Sequence, residues 1–327
     1  MNVLLVRIDG VGDALVCAPL IAALRAAGHR VGALLSTRNA GAFAPGVFDA
    51  VHVVERIPWP RHGSTPASYA GALADARAAC YEVALVASEE PEAYRFARAC
   101  GARRRIGFTN GFEKPLKSLW ARGHLTRALP RETSADRVGE HEVETLFRLG
   151  AGLHAEAQPT RELGRLRWLV ALREAKPADL IVLQVARKAH ASEAGRAAFA
   201  ALAQRIGKSH PIALFAAGED AALARELGAP HDLVPSVFER VEAWRDALVG
   251  ARAVVTPDGG AAHLAGMAGV PCVDIFEAGP HSAFDVRRWR PWAGPARTLV
   301  GSPIVEQTAR DADAALHELL QAAPVPA

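Results

Sequence analysis

Short apolar runs alternate along this chain with alanine-rich segments of helical length. A parallel sheet covered by helices is the arrangement that buries such a pattern. The run NVLLVR at residues 2–7 is nearly continuous in apolar character and leads through the glycine turn IDGVGD into an Ala/Leu helix at about residues 14–27. A strand buried on both faces reads this way. Further strand-like runs cover residues 31–35, 51–54 and 83–87. Residues 103–131 break the pattern with Gly, Pro, Lys, Arg and Trp, which predicts a surface loop with short helices. A helical period returns at residues 136–150, and the stretch HAEAQPTRELGRL, punctuated by Pro159 and Gly164, marks the connection to a second domain. The same grammar then repeats, with strands expected at 180–185, 212–216, 253–256 and 270–276, an amphipathic helix at 306–320 and a fraying Ala/Pro tail. The fold expected is α/β, two Rossmann-like doubly wound lobes facing across a cleft, residues 1–160 and 161–327.

At 327 residues both lobes can bury real cores, and 22% charged residues with 50% hydrophobic ones exclude disorder as the theme. A net charge of +3 argues against bulk nucleic-acid binding. Cys17, Cys80, Cys100 and Cys272 show no CxxC spacing and read as reduced, buried thiols of a cytosolic protein. The first residues, with Arg7 and Asp9 among them, do not form a signal peptide. No run reaches the roughly 18 apolar residues of a spanning helix, so membrane contact is expected to be peripheral.

The stretch VVTPDGGAAHL at residues 254–264 reads as strand, turn and helix start. Gly259 and Gly260 are expected to take backbone angles closed to other residues and to let a ligand approach the main chain. The amides of the first helical turn would then face a phosphate or diphosphate. The competing reading is an ordinary corner of a parallel sheet. Asp258 favours a ligand, because a carboxylate beside an anion site is costly unless it holds something else, such as sugar hydroxyls. Asp13 ends the first strand and is open to two readings, a general base or an N-cap on the helix from Ala14. Arg187 and Lys188 suit a diphosphate or a solvated basic loop, and Glu219 suits ribose hydroxyls or a helix N-terminus. Asp13, Lys188, Glu219 and Asp258 all fall at carboxyl ends of expected strands, where open α/β sheets keep their ligands.

Other motifs fail. GVGDAL has Leu15 where a dinucleotide fingerprint needs its third glycine, and His141-Glu142 is followed by Thr145 where a zinc helix needs histidine. Asp311 and Asp313 have DxD spacing but lie in the expected C-terminal amphipathic helix.

The opening LLVRIDGVGDALVCAPLIAALR, the segment EHEVETLFRLGAG, the turn TPDGGAAHLAGMAGVPCVDIF and the Arg-Trp-x-Pro-Trp segment at residues 288–292 together resemble glycosyltransferase family 9, typified by the lipopolysaccharide heptosyltransferases. The resemblance covers most of the chain. It implies a GT-B fold and inverting, metal-independent transfer of heptose from ADP-heptose to an acidic, anionic glycolipid acceptor of the lipid A core. It implies work at the cytoplasmic face of the inner membrane, with peripheral contact, no cofactor and no nucleic acid. It makes Asp13 the catalytic carboxylate, Asp258 the donor-sugar contact, Lys188 with Arg187 beside it the diphosphate contact, and Glu219 a ribose contact. Gly259, Gly260 and His263 fall in the donor-phosphate turn. Gly259 stands where the family has Ser or Thr, and FEAGPHSAFDVRRW at residues 276–289 is longer than usual and lacks the FGPT-like start.

Residues 103–137 carry Arg103, Arg104, Arg105, Lys114, Lys117, Arg122, Arg127, Arg131 and Arg137 against only Glu113, Glu132 and Asp136, with Phe108, Phe112, Leu116, Leu119 and Trp120 interleaved. This reads as one basic, partly apolar acceptor surface, with Arg103, Arg104, Arg105, Lys114 and Lys117 as acceptor contacts. The alternatives for this segment are a solvated basic loop and a nucleic-acid contact; for the chain as a whole they are a transferase using another nucleotide sugar, a nucleotide-dependent oxidoreductase, or a non-catalytic nucleotide-sugar binder.

Overall fold

The computed structural model describes residues 1–55, 65–131, 139–171, 178–302 and 304–322. It divides into two compact units, Met1–Thr160 and Arg161–Ala327. The first holds strands β1 (Asn2–Val6), β2 (Arg30–Ser36), β3 (Ala50–Val54), β4 (Val83–Val86), β5 (Arg104–Thr109) and β6 (Arg127–Pro130). They form a parallel sheet in the order β3-β2-β1-β4-β5-β6. The second holds β7 (Ile181–Gln184), β8 (Ile212–Ala217), β9 (Ser236–Phe238), β10 (Ala253–Pro257), β11 (Cys272–Phe276) and β12 (Ala296–Val300), in the order β12-β11-β10-β7-β8-β9. Both sheets therefore have the doubly wound order, and in each the chain reverses direction across the sheet beside its first strand. The switch points, β1/β4 and β7/β10, are where such sheets open a crevice at the carboxyl edge.

The alternation expected from sequence is the alternation found. Val3, Leu4, Leu5 and Val6 of the central strand β1 are fully buried, as a strand covered on both faces requires. In the second unit the helices Glu193–Gly207 and Val305–Ala322 pack over Val255 and Val273 of the sheet.

Four strands lie where none was expected. β5 and β6 fall inside the presumed surface loop, because RRIGFT opens on two arginines and the edge strand RALP is only partly buried. β9 and β12 are likewise edge strands with half-buried residues, and half-burial removes the apolar signal. The helix expected at 136–150 is described as Glu142–Phe147 followed by a tighter turn at Arg148–Gly150, and Glu132, Asp136 and Arg137 lie outside the described residues, as does the tail from 323. Cys17, Cys100 and Cys272 are buried, but Cys80 is exposed in a turn with φ 52°.

Replacing Leu5 with alanine in β1 is expected to cost about 2–5 kcal/mol, the range for a fully packed leucine. Val51→Ala, on the edge strand β3 where the residue is 49% exposed, is expected to stay within about 0.5 kcal/mol of wild type. Urea unfolding midpoints of the two variants check the contrast.

Candidate active site

In the first unit the carboxyl edge is organised by charge. Arg7, one residue beyond β1, is only 3% exposed. Its Nε lies 3.1 Å from the Asp9 carboxylate, its Nη2 donates to Asp13 Oδ1 at 2.8 Å, and its Nη1 donates to the Ala87 carbonyl. Burial alone would lower the Arg7 pKa, but the Asp9 and Asp13 carboxylates outweigh it and hold the guanidinium charged. Burial pushes the Asp9 carboxyl above its usual range against the pull of Arg7, and Ser88 donates to Asp9 Oδ1 at 2.7 Å.

Asp13 sits in the short helix Val11–Leu15, whose N-cap is Gly10 rather than Asp13. Its Oδ2 accepts the Gly10 amide at 3.2 Å while its Oδ1 accepts from Arg7, so each oxygen is anchored once. The side chain is still 36% exposed. Asp13 is therefore not the N-cap that the sequence allowed, but the third residue of the helix. It closes the helix start, and it presents a held, accessible carboxylate at the switch point.

A second ionic chain runs along the same edge. Lys117 donates to Glu89 at 2.6 Å, Arg131 lies 3.2 Å from Glu89, and Arg131 Nη2 donates to Glu142 at 2.6 Å. Arg131 is 8% exposed and Glu142 fully buried. Lys117 and Arg131 are thus tied into this chain. Arg103, Arg104 and Arg105 are not near it. Arg104 pairs with Val83 and Val83 with Val3, which puts all three arginines at the amino end of the sheet, roughly 15–20 Å along β5 from the carboxyl edge. Arg105 is spent on the carbonyls of His124 and Ala102, at 2.7 and 2.8 Å. The single acceptor surface expected over 103–137 is corrected accordingly, because a strand runs through its middle. Lys114 is exposed and begins the helix Pro115–Arg122, beside which Phe112, Leu116 and Leu119 are 101%, 84% and 71% exposed.

In the second unit a pocket of about 540 Å³ opens at the carboxyl ends of β7, β10, β11 and β12. Lys188 and Asp258 line it, with Glu277 and Ser302. Its inner wall is apolar, formed by Phe199 and Leu202 of one helix, Ala309 of the other and Ile275 of the sheet. Lys188 Nζ lies 3.4 Å from Asp258 Oδ2, in an ion pair where the lysine is 70% exposed and the aspartate 21%. His190 also lines the pocket, but burial lowers its imidazole to about 4, so it is neutral there at physiological pH.

The other donor residues expected from sequence lie outside that lining. Arg187 turns to Asp220 at 3.2 Å and to the Glu219 carbonyl at 2.6 Å. Glu219 stands in the turn Gly218–Asp220 after β8. His263 is 2% exposed with its ring 6.3 Å from that of Trp289, so its side chain is in the core. Gly259 and Gly260 do not need to be glycine for backbone reasons, which corrects the expectation. Gly259 is an extended N-cap whose added Cβ would meet nothing nearer than the Pro257 carbonyl at 3.8 Å, and Gly260 begins the helix Gly260–Ala268. Gly195 is the glycine the pocket depends on, since a Cβ there would sit 2.0 Å from the Ala189 carbonyl in the segment that carries Lys188.

Sequence reading passed over Arg7, Glu89, Arg131, Glu142 and Asp274. Asp274, on β11, is fully buried with no hydrogen-bond partner on either oxygen. Burial drives its carboxyl well above the usual range; Asp258 adds to this and Lys188 opposes it. A charged residue inside an otherwise apolar strand run, VDIF, is the signal that marks it.

No protein-family model matches the chain, and no curated protein matches it in sequence. Solved structures match it over nearly its full length. Glycosyltransferase family 9 from Veillonella parvula DSM 2008 superposes with a TM-score of 0.71 at 14% identity, covering 98% of this chain and 97% of that one. E. coli heptosyltransferase WaaC with ADP gives 0.69 at 18%, covering 98% and 100%. E. coli ADP-heptose lps heptosyltransferase II gives 0.67 at 16%, covering 98% and 99%. The chain has the two-lobe GT-B fold of these transferases.

Two outcomes are expected from this site. Arg131→Met takes the Arg131 guanidinium away from the buried Glu142 carboxylate and should cost about 3–5 kcal/mol, whereas Arg131→Met with Glu142→Leu should recover most of that loss in denaturant titrations. Asp274 has a raised folded-state pKa, so the stability it allows is fully present below its unfolded pKa and is lost as pH rises toward the folded one. The stability of Asp274→Asn relative to wild type should therefore grow as pH rises above the ordinary aspartate range. A pH-independent difference would show that this carboxyl does not titrate on unfolding.

Proposed function

We propose that the chain is an inverting, metal-independent glycosyltransferase of lipopolysaccharide core assembly, moving a heptose from ADP-heptose to an acidic sugar on a lipid A-type acceptor. The observation that carries this reading is the pairing of two sites in one GT-B fold. A held, exposed carboxylate stands at the switch point of the first sheet, and a lysine-bearing pocket stands at the switch point of the second. Solved structures of this fold include a heptosyltransferase with ADP and one with ADP-2-deoxy-2-fluoro heptose.

Inverting transfer needs one base to take the acceptor hydroxyl's proton as the new bond forms, and fixed positive charge where the diphosphate leaves. Asp13 is the base, oriented by Arg7 and the Gly10 amide with lone pairs left over. Lys188 supplies the positive charge together with the amides that open the helix Gly260–Ala268, and Asp258 accepts from the donor sugar. A donor other than ADP-heptose is the second reading, favoured by Gly259 in place of a hydroxyl residue and by the lengthened stretch at residues 276–289.

Among the described residues no helix is long and apolar enough to cross a membrane. The acceptor, as an anionic lipid, is brought by peripheral contact at the cytoplasmic face of the inner membrane. Leu116 and Leu119, at i and i+3 of the helix Pro115–Arg122, and Phe112 in the turn before it are almost bare, with Lys114 and Arg122 close in sequence.

Asp13→Asn is expected to lower kcat by about 10²-fold or more while donor affinity and folding persist, since asparagine can still accept the Gly10 amide. Turnover near wild type would reduce Asp13 to a structural residue. Sedimentation with vesicles should show binding to anionic but not neutral lipid, weakening steeply with salt, and reduced in Leu116→Ser/Leu119→Ser. Equal binding to both vesicle types would remove this helix from the account.

A further inference from the structure

Asp258 and Glu277 stand on neighbouring strand ends. In the pairing of β10 with β11, Pro257 lies opposite Ile275, and the Asp258 amide donates to the Ile275 carbonyl at 3.0 Å. Asp258 is thereby set beside Phe276, with Glu277 one residue beyond. From the other side the Gly301 amide donates to the Phe276 carbonyl at 2.8 Å, so the backbone leading into Glu277 is bonded to both neighbours of β11. Both carboxylates line the same pocket as Lys188.

The charge balance of that pocket says what it can hold. Of the basic residues lining it, His190 is neutral and the Lys188 ammonium is already matched by Asp258. A second carboxylate makes the mouth acceptor-rich, which suits hydroxyl donors and disfavours a further anion. Each ionised carboxylate accepts hydrogen bonds on two oxygens, and hydrogen bonds with one charged partner are the stronger kind. Ser302 at the end of β12 adds a hydroxyl to the same wall. Asp258 and Glu277 are the two carboxylates that share this lining with Lys188, so both are available to a group attached to a diphosphate there.

We propose that Glu277 is a second carboxylate contact to the donor's sugar, acting beside Asp258 to select a neutral, polyhydroxylated sugar over one that carries a carboxylate. This rests on the glycosyltransferase reading above. Glu277 is exposed, so its replacement is expected to leave the fold intact.

Calorimetric titration of wild type, Glu277→Ala and Glu277→Gln with ADP and with ADP-heptose tests it, with Lys188→Ala as the control for diphosphate binding. ADP affinity should stay within about twofold of wild type in both Glu277 variants, while ADP-heptose affinity falls about ten- to a hundredfold in Glu277→Ala and less in Glu277→Gln. Lys188→Ala should weaken both ligands. Equal loss of ADP and ADP-heptose in Glu277→Ala, or no loss of either, would overturn the sugar contact while leaving the transferase reading in place. Failure of wild type to bind ADP or ADP-heptose would overturn the ADP-heptose reading, and the sugar contact with it.

Discussion

The guanidinium of Arg7 fixes the first unit's carboxyl edge. A buried charge of this kind is tolerable only when it is paired, and here the Asp9 and Asp13 carboxylates pair with it while Asp13 and the Ala87 carbonyl accept its hydrogen bonds. The consequence reaches beyond stability. Asp9 is held inward and Asp13 is held with its carboxylate still reachable, so one cation anchors two acids of different exposure. Without Arg7, Asp13 would keep only its bond to the Gly10 amide.

The second unit handles charge differently. Its pocket pairs an exposed lysine with a partly buried aspartate, an arrangement worth about 1 kcal/mol or less as an ion pair and therefore easily given up to a ligand. Beneath it, Asp274 is buried without a hydrogen-bond partner, which is costly for a carboxylate and is relieved by protonation. The apolar inner wall and the polar mouth make the pocket suited to a ligand that is polar at one end only.

The central strands were legible in the sequence because burial on both faces leaves continuous apolar runs such as VLLV, and the glycine turns after them mark the carboxyl edge. The edge strands were not legible, since RALP and SVF bury too little to stand out from a loop. Asp13, Lys188 and Asp258 stand beyond the carboxyl ends of β1, β7 and β10, as expected, because each follows an apolar run that the sequence displays. Arg103, Arg104 and Arg105 were misgrouped because proximity in sequence says nothing about which end of a strand a residue occupies. The pairing of Arg131 with Glu142 was not legible because a buried ion pair joins residues that each look like ordinary surface charges. Gly259 shows the converse. A glycine in a ligand-binding turn suggests special backbone angles, yet the structure needs none there.

The most direct measurement is a thermal-shift panel of ADP, UDP, GDP and dTDP alongside NADH, each with and without excess EDTA. A ligand that binds the folded state preferentially raises the melting temperature by mass action. The account predicts a saturable rise with ADP above the other nucleoside diphosphates, unchanged by EDTA. A rise with NADH alone, or one that EDTA abolishes, would contradict a metal-independent nucleotide-sugar transferase.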